Sequence, residues 1–204
     1  MPLITFEGAD GSGKTTHMEL LAAELERQGH SVLLTREPGG TRLGNDIRQM
    51  VLWNTELEIS PMAEMLLMAA ARAQHVSEVL KPGLLAGRLI LCDRYIDASL
   101  VYQGIALGLG LELVASINDK IVGGLWPDVT VLLDVAPEEA FARSITERQQ
   151  ADRIESRGLA YYAQVCSGYR LLAQKWPERI RIVDASRPID VVQRDILAVV
   201  NSIL

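Results

Sequence analysis

Short apolar runs recur along the chain at residues 3–7, 31–35, 88–92, 129–135 and 180–184. Apolar residues on consecutive positions are the pattern of strands covered on both faces. Longer stretches with helical spacing separate them, at 16–28, 60–80, 111–122, 137–147, 160–176 and 189–203. In the first of these Met18, Leu21, Ala22 and Leu25 share one side, and Gly29 offers a stop. Ser60 followed by Pro61 supplies a cap and a first-turn proline. Strand–helix alternation predicts an α/β fold, a five-stranded parallel sheet flanked by helices and joined by right-handed crossovers. There is no internal repeat and no low-complexity linker, so residues 1–204 are read as one domain. The polar, charged stretch 146–158 between two helices is the segment expected to move.

Composition narrows this picture. With 49% hydrophobic residues the chain has ample material for a core, which excludes disorder. A net charge of −6 argues against a broad nucleic-acid surface, though not against a local cationic pocket. Cys92 and Cys166 have no metal-site spacing and read as free thiols in a reducing cytosol. No stretch approaches the roughly 20 apolar residues of a membrane span. The expectation is a cytoplasmic protein with neither membrane nor nucleic acid as partner.

The first apolar run leads into Gly8-Ala9-Asp10-Gly11-Ser12-Gly13-Lys14-Thr15-Thr16, with the spacing G-x-x-x-x-G-K-T. In such a loop the glycines allow torsions that turn successive amides inward, and a helix N-terminus adds partial positive charge. Lys14 is expected at the terminal phosphates of a nucleoside triphosphate and the Thr15 hydroxyl on Mg²⁺. The strand before and the helix after supply the context this motif requires. The loop alone does not name the acceptor. A GTPase needs a guanine-reading N-K-x-D; the nearest string, Asn118-Asp119-Lys120, has the wrong order and lies in a helical pattern. A small-molecule kinase fits best.

Ligands of open α/β sheets bind beyond the C-terminal strand ends. Arginine-bearing segments arrive there: Arg36 to Thr41 followed by Arg48 on a short helix, and Asp93-Arg94-Tyr95 after the third strand. Arg72 lies among alanines on the helix between them, where burial would demand an anion. Converging guanidiniums suit a phosphate monoester, gripped through planar paired donors.

The strings EGADGSGKTTH, TREPGGTRLGNDIR, LLMAAARAQH, CDRYIDASLVYQG and DRIE, in this order, resemble bacterial thymidylate kinases. The resemblance runs from near residue 3 to near residue 185. It implies a P-loop nucleoside monophosphate kinase fold with a short helical lid at about 141–158, and transfer of the γ-phosphoryl of MgATP to dTMP. It also implies a homodimer. Carried over by position, Lys14, Thr15 and the loop amides hold ATP and Mg²⁺, and Asp10 lies near the acceptor sugar and phosphate. Glu37 and Pro38 line the acceptor pocket, and Arg48 and Arg94 hold its phosphate. Asp93 acts on the Mg²⁺ side through water. Arg72 pairs with the thymine edge, and Ser99, Tyr102 and Gln103 complete the base and sugar pocket. From the residues alone, Tyr102 also reads as a core side chain and Ser99 as a helix-surface hydroxyl. The loop has no arginine, so the lid is expected to supply the extra catalytic one, with Arg143, Arg148 and Arg153 as candidates.

Two departures stand out. Family members commonly stack thymine on a phenylalanine one turn before the base-reading arginine, and here that position is Met68. The lid string RSITERQQADRIE is thinner in arginine, with Gln149 and Gln150. A kinase for another or 5-modified pyrimidine deoxynucleoside monophosphate, and a non-catalytic nucleotide-binding paralogue, are the alternative readings.

Overall fold

The computed structural model describes residues 1–54, 56–147, 153 and 157–204. Among them five strands form one sheet: β1 (Leu3–Glu7), β2 (Val32–Arg36), β3 (Leu89–Asp93), β4 (Val129–Asp134) and β5 (Ile180–Asp184). Their order is β2-β3-β1-β4-β5, and every neighbouring pair is parallel. The sequence reading of a five-stranded parallel α/β fold is met. Successive side chains of β1 go to opposite faces. Ile4 and Phe6 join Leu89, Leu91, Val131 and Leu133 beneath α1 (Lys14–Arg27) and α9 (Ile189–Asn201). Leu3, Ile90, Cys92 and Leu132 belong to the core on the other face. The helices α3 (Pro61–His75), α6 (Leu111–Val122) and α8 (Leu159–Lys175) contribute to that second core.

The expectation that all five strands are covered on both faces holds only for the inner three. The edge strands β2 and β5 each expose part of their length, including Leu34 and Ile182. A run of apolar residues does not reveal that its strand lies at a sheet edge. The helix expected over 60–80 starts as read, with Ser60 Oγ accepting from the Ala63 amide at 3.3 Å. It then widens to π-helical winding at Val76–Leu80 and runs on into α4 (Lys81–Leu85). After β3 the chain enters α5 (Ile96–Ser99) and a second π-helical segment, Leu100–Ala106, which carries Tyr102 and Gln103. The remaining helical segments among the described residues are α2 (Arg42–Arg48), capped by Thr41 and continued by a π-helical turn at Gln49–Trp53, and α7 (Pro137–Glu147). Of the lid reading, 148–152 and 154–156, and so Arg148, Gln149 and Gln150, lie outside the described residues.

Candidate functional site

The loop between β1 and α1 is built on backbone that only glycine adopts easily. Gly8, Gly11 and Gly13 all have positive φ, at 140°, 79° and 87°. A Cβ on Gly11 would also fall 2.3 Å from the Ala140 carbonyl oxygen of α7. The loop therefore lies directly against the start of the lid segment. Gly13 stands at the N-cap of α1 and no side chain caps that helix. Its first-turn amides are thus left for an anion. The Ser12 hydroxyl is buried and without a hydrogen-bond partner among the described residues.

Lys14 is buried, and its ammonium donates to the carbonyls of Gly8 (3.2 Å) and Ala9 (2.9 Å). Burial, then the nearby Arg94 charge, lower its pKa from the usual lysine value. Arg48 is lowered by burial and then by Arg36 and Arg94. Burial and neighbouring positive charge disfavour the cationic forms of Lys14 and Arg48, and an added anion would favour them.

The residues read from the sequence as lining an acceptor site meet in one cavity. Asp10, Glu37, Pro38, Arg48, Met68, Arg72, Arg94, Ser99, Tyr102 and Gln103 all line it, with Leu52 and Ala98. Arg94 reaches Asp10 at 3.1 Å and stacks over the Tyr102 ring at 5.0 Å. Tyr102 is therefore both buried and part of the pocket wall. Arg48 donates to the Pro38 carbonyl at 3.1 Å.

Arg72 is buried with an anion, as its alanine surroundings demanded, and the anion is Glu37 at 2.7 Å. Its Nη1 donates to Ser99 (2.8 Å) and to Asn118, and its Nη2 to the Tyr95 carbonyl (2.7 Å). Four of the five guanidinium N–H groups are so engaged. Ser99 is buried in this network, which corrects the alternative reading of a helix-surface hydroxyl. Asn118, set aside as part of a failed guanine motif, is one of the groups that fixes Arg72.

Thr15 and Asp93 line a second, more open cavity with Thr35, Arg36 and Asn45. The Asp93 Oδ1 atom is buried with no hydrogen-bond partner among the described residues. An orphaned carboxylate oxygen beside a loop hydroxyl suits a hard cation carried in by phosphates, which needs few protein ligands.

The described lid arginines are spread apart. Arg143 sits beside Gly11, its Cβ 3.1 Å from where a Gly11 Cβ would be, and pairs with Glu139. Arg153 and Arg157 both bind the buried Glu64, at 2.7 and 3.0 Å, and Glu64 also accepts from Gln103 at 3.0 Å. The Arg153 amide donates to the carbonyl of Leu52, a wall of the acceptor cavity. The stretch expected to form a lid thus touches the cavity wall through Arg153 and the glycine-rich loop through α7.

Sequence reasoning missed Glu7. It is fully buried at the end of β1, and burial, then the Asp97 carboxylate, push its pKa up to about 7, while Arg94 and the Tyr169 hydroxyl pull it down. An acid closing an apolar strand just before a phosphate loop was the available signal. Between pH 4.5 and about 7 the folded chain keeps a proton here that the unfolded chain has released. Stability from this group is therefore present at low pH and lost as pH rises through that window, by at most ~3 kcal/mol. Glu7→Gln, which cannot ionise, should gain stability relative to the parent between pH 5 and pH 8 in urea unfolding. A difference constant with pH would contradict this.

The family model described as thymidylate kinase matches residues 6–196. A curated thymidylate kinase of Exiguobacterium sp. is 46% identical over 194 residues, covering 95% of this chain and 91% of the relative. One of Symbiobacterium thermophilum is 46% identical, covering 98% of this chain and 93% of the relative. The crystal structure of thymidylate kinase from Ehrlichia chaffeensis matches with a TM-score of 0.80 at 30% identity, covering 98% of both chains.

Proposed function

The chain belongs to the thymidylate kinase family, and from that premise we infer that it moves the γ-phosphoryl group of ATP to dTMP, giving ADP and dTDP. The observation that carries this reading is the single cavity joining Asp10 of the phosphate loop to Arg48, Arg72 and Arg94. A donor held by the loop and an acceptor held by these arginines meet end to end. Phosphoryl transfer needs alignment and charge compensation more than covalent help.

The roles divide as follows. The amides of residues 8–16 and the Lys14 ammonium hold the donor phosphates, so that Lys14 exchanges the Gly8 and Ala9 carbonyls for phosphate oxygens. Thr15, and Asp93 through water, would hold Mg²⁺, which would supply charge neutralisation at the donor phosphates. Arg48 and Arg94 grip the acceptor phosphate, and Asp10 orients Arg94 and the sugar end. The fifth N–H of Arg72 is offered to a carbonyl of the thymine edge. Ser99, Tyr102 and Gln103 close the base and sugar pocket, with Glu37 and Pro38 as its wall. Residues 141–158 form the lid that excludes water. Arg148 and Arg153 are its cations at the transferring group, Glu64 being the competitor for Arg153. Two copies pair through the faces of α3 and α6, where Met62, Leu66 and Leu113 are exposed. Among the described residues no helix is long and apolar enough to cross a membrane, and two buried free cysteines suit a cytoplasmic enzyme.

The test is ADP release with MgATP and each of dTMP, dUMP, dCMP, dGMP and AMP. Strong stimulation by dTMP, with little from the purines, is expected; no stimulation by any acceptor would contradict the reading. Met68 packs with Ile47, Val51, Leu52 and Ala71 under this pocket. Met68→Phe adds a ring face toward the base and should tighten dTMP binding by ~1 kcal/mol, about fivefold. Titration calorimetry measures it, and unchanged or weaker binding would show that the pocket is shaped around methionine.

A further inference from the structure

Arg94 is held at unusual cost. Its backbone is left-handed, at φ 66°, a conformation that residues with side chains rarely adopt. Its guanidinium is buried among the Asp10 carboxylate, the Tyr102 ring face and the Tyr169 hydroxyl of α8, which Nη1 reaches at 2.9 Å.

Two of these constraints lead back to Glu7. Its Oε1 accepts the amides of Tyr95 (2.8 Å) and Ala98 (3.2 Å), the turn that follows Arg94 in the chain. Its Oε2 accepts the Tyr169 O–H at 2.7 Å. With its proton committed to Glu7, the Tyr169 oxygen presents lone pairs to Arg94 Nη1. One carboxylate therefore holds the arginine by its main chain and by its side chain.

An apolar core gains nothing from a fully buried carboxylate that makes no direct ion pair among the described residues. What this one fixes faces the acceptor cavity. We propose that Glu7 and Tyr169 are positioning residues for Arg94, setting the plane of its guanidinium toward the acceptor phosphate. This rests on the reading of Arg94 as a ligand of that phosphate. Paired N–H donation to a phosphate depends on the orientation of the guanidinium plane, which a loosened Arg94 loses.

Tyr169→Phe removes one oxygen and keeps the ring. Glu7→Gln keeps both amide bonds at Oε1 but turns an N–H toward Tyr169, reversing the direction of that hydrogen bond. The KM values for dTMP and MgATP, the Kd of thymidine, which lacks the phosphate, and the unfolding temperature are measured for both, for the double variant and for Arg94→Ala. Tyr169→Phe should raise the dTMP KM on the order of tenfold, the size of one hydrogen bond to a charged group. Thymidine affinity and the MgATP KM should stay within twofold. Glu7→Gln should act in the same direction, and the double variant should lose no more than Tyr169→Phe alone. Unchanged dTMP KM in Tyr169→Phe, with dTMP binding lost in Arg94→Ala, overturns the positioning role alone. Parallel loss of thymidine, dTMP and MgATP affinity overturns it too, because general loosening moves all three. Unaltered dTMP binding in Arg94→Ala overturns both this inference and the reading beneath it.

Discussion

Lys14→Ala is expected to lower phosphoryl transfer from ATP to dTMP at least about a thousandfold and to leave the fold intact. Removing one preorganised donor aimed at developing charge costs roughly 100- to 1000-fold in other sites, and Lys14 brings a full charge at the transferring group. The expectation for stability follows from its surroundings. The ammonium is buried and its pKa is depressed, by desolvation first and by Arg94 second. The charge is therefore disfavoured where it sits, and its loss should leave the unfolding temperature unchanged or slightly higher. Coupled ADP and dTDP assays with a thermal melt check both halves. Turnover within tenfold of the parent would remove Lys14 from the mechanism.

Arg72→Met should be the most damaging substitution for stability. Glu37 and Arg72 are 4% and 3% exposed, and Glu37 divides its oxygens between Arg72 and His75. Methionine fills the space of the arginine stem and leaves the carboxylate without its fixed cation. Breaking a buried pair from one side costs ~3–5 kcal/mol. The Ser99 hydroxyl, the Asn118 amide and the Tyr95 carbonyl lose a donor as well. Acceptor binding should fall with stability. Pairing Arg72→Met with Glu37→Gln should recover part of the lost stability, though not the binding. Urea unfolding reads this, and a loss under ~1 kcal/mol would mean that His75 alone compensates Glu37.

Much of this was legible in the sequence because it is local. The loop glycines, the Ser60 cap and the strand-ending Asp93-Arg94 depend on neighbours in the chain, and each stands in the expected place. The residues expected at the acceptor were named through a family resemblance, and the fold brings them into one cavity. Long-range pairings were not legible. Glu7 meets Tyr169 across 162 positions and Glu64 meets Arg153 across 89. Alone, Glu7 and Glu64 read as solvated acids and Tyr169 as a core aromatic. Asn118 was judged by its neighbours in sequence, whereas its partner, Arg72, lies 46 positions away. The π-helical winding that presents Tyr102 and Gln103 leaves no periodic mark on so short a segment. Edge strands escaped for a related reason: β2 and β5 are apolar enough to read as inner strands.

The site proposed for transfer lies between Lys14 of the phosphate loop and the cavity arginines Arg48 and Arg94, where a donor phosphate and a nucleoside monophosphate would meet. It is tested most directly by following the label of γ-phosphate-labelled ATP in the presence of Mg²⁺ and dTMP. Label is expected in the terminal phosphate of dTDP, in step with ADP, and Arg48→Ala and Arg94→Ala are expected to lower this transfer. Label released as inorganic phosphate at a rate indifferent to dTMP, with none in dTDP, would contradict it.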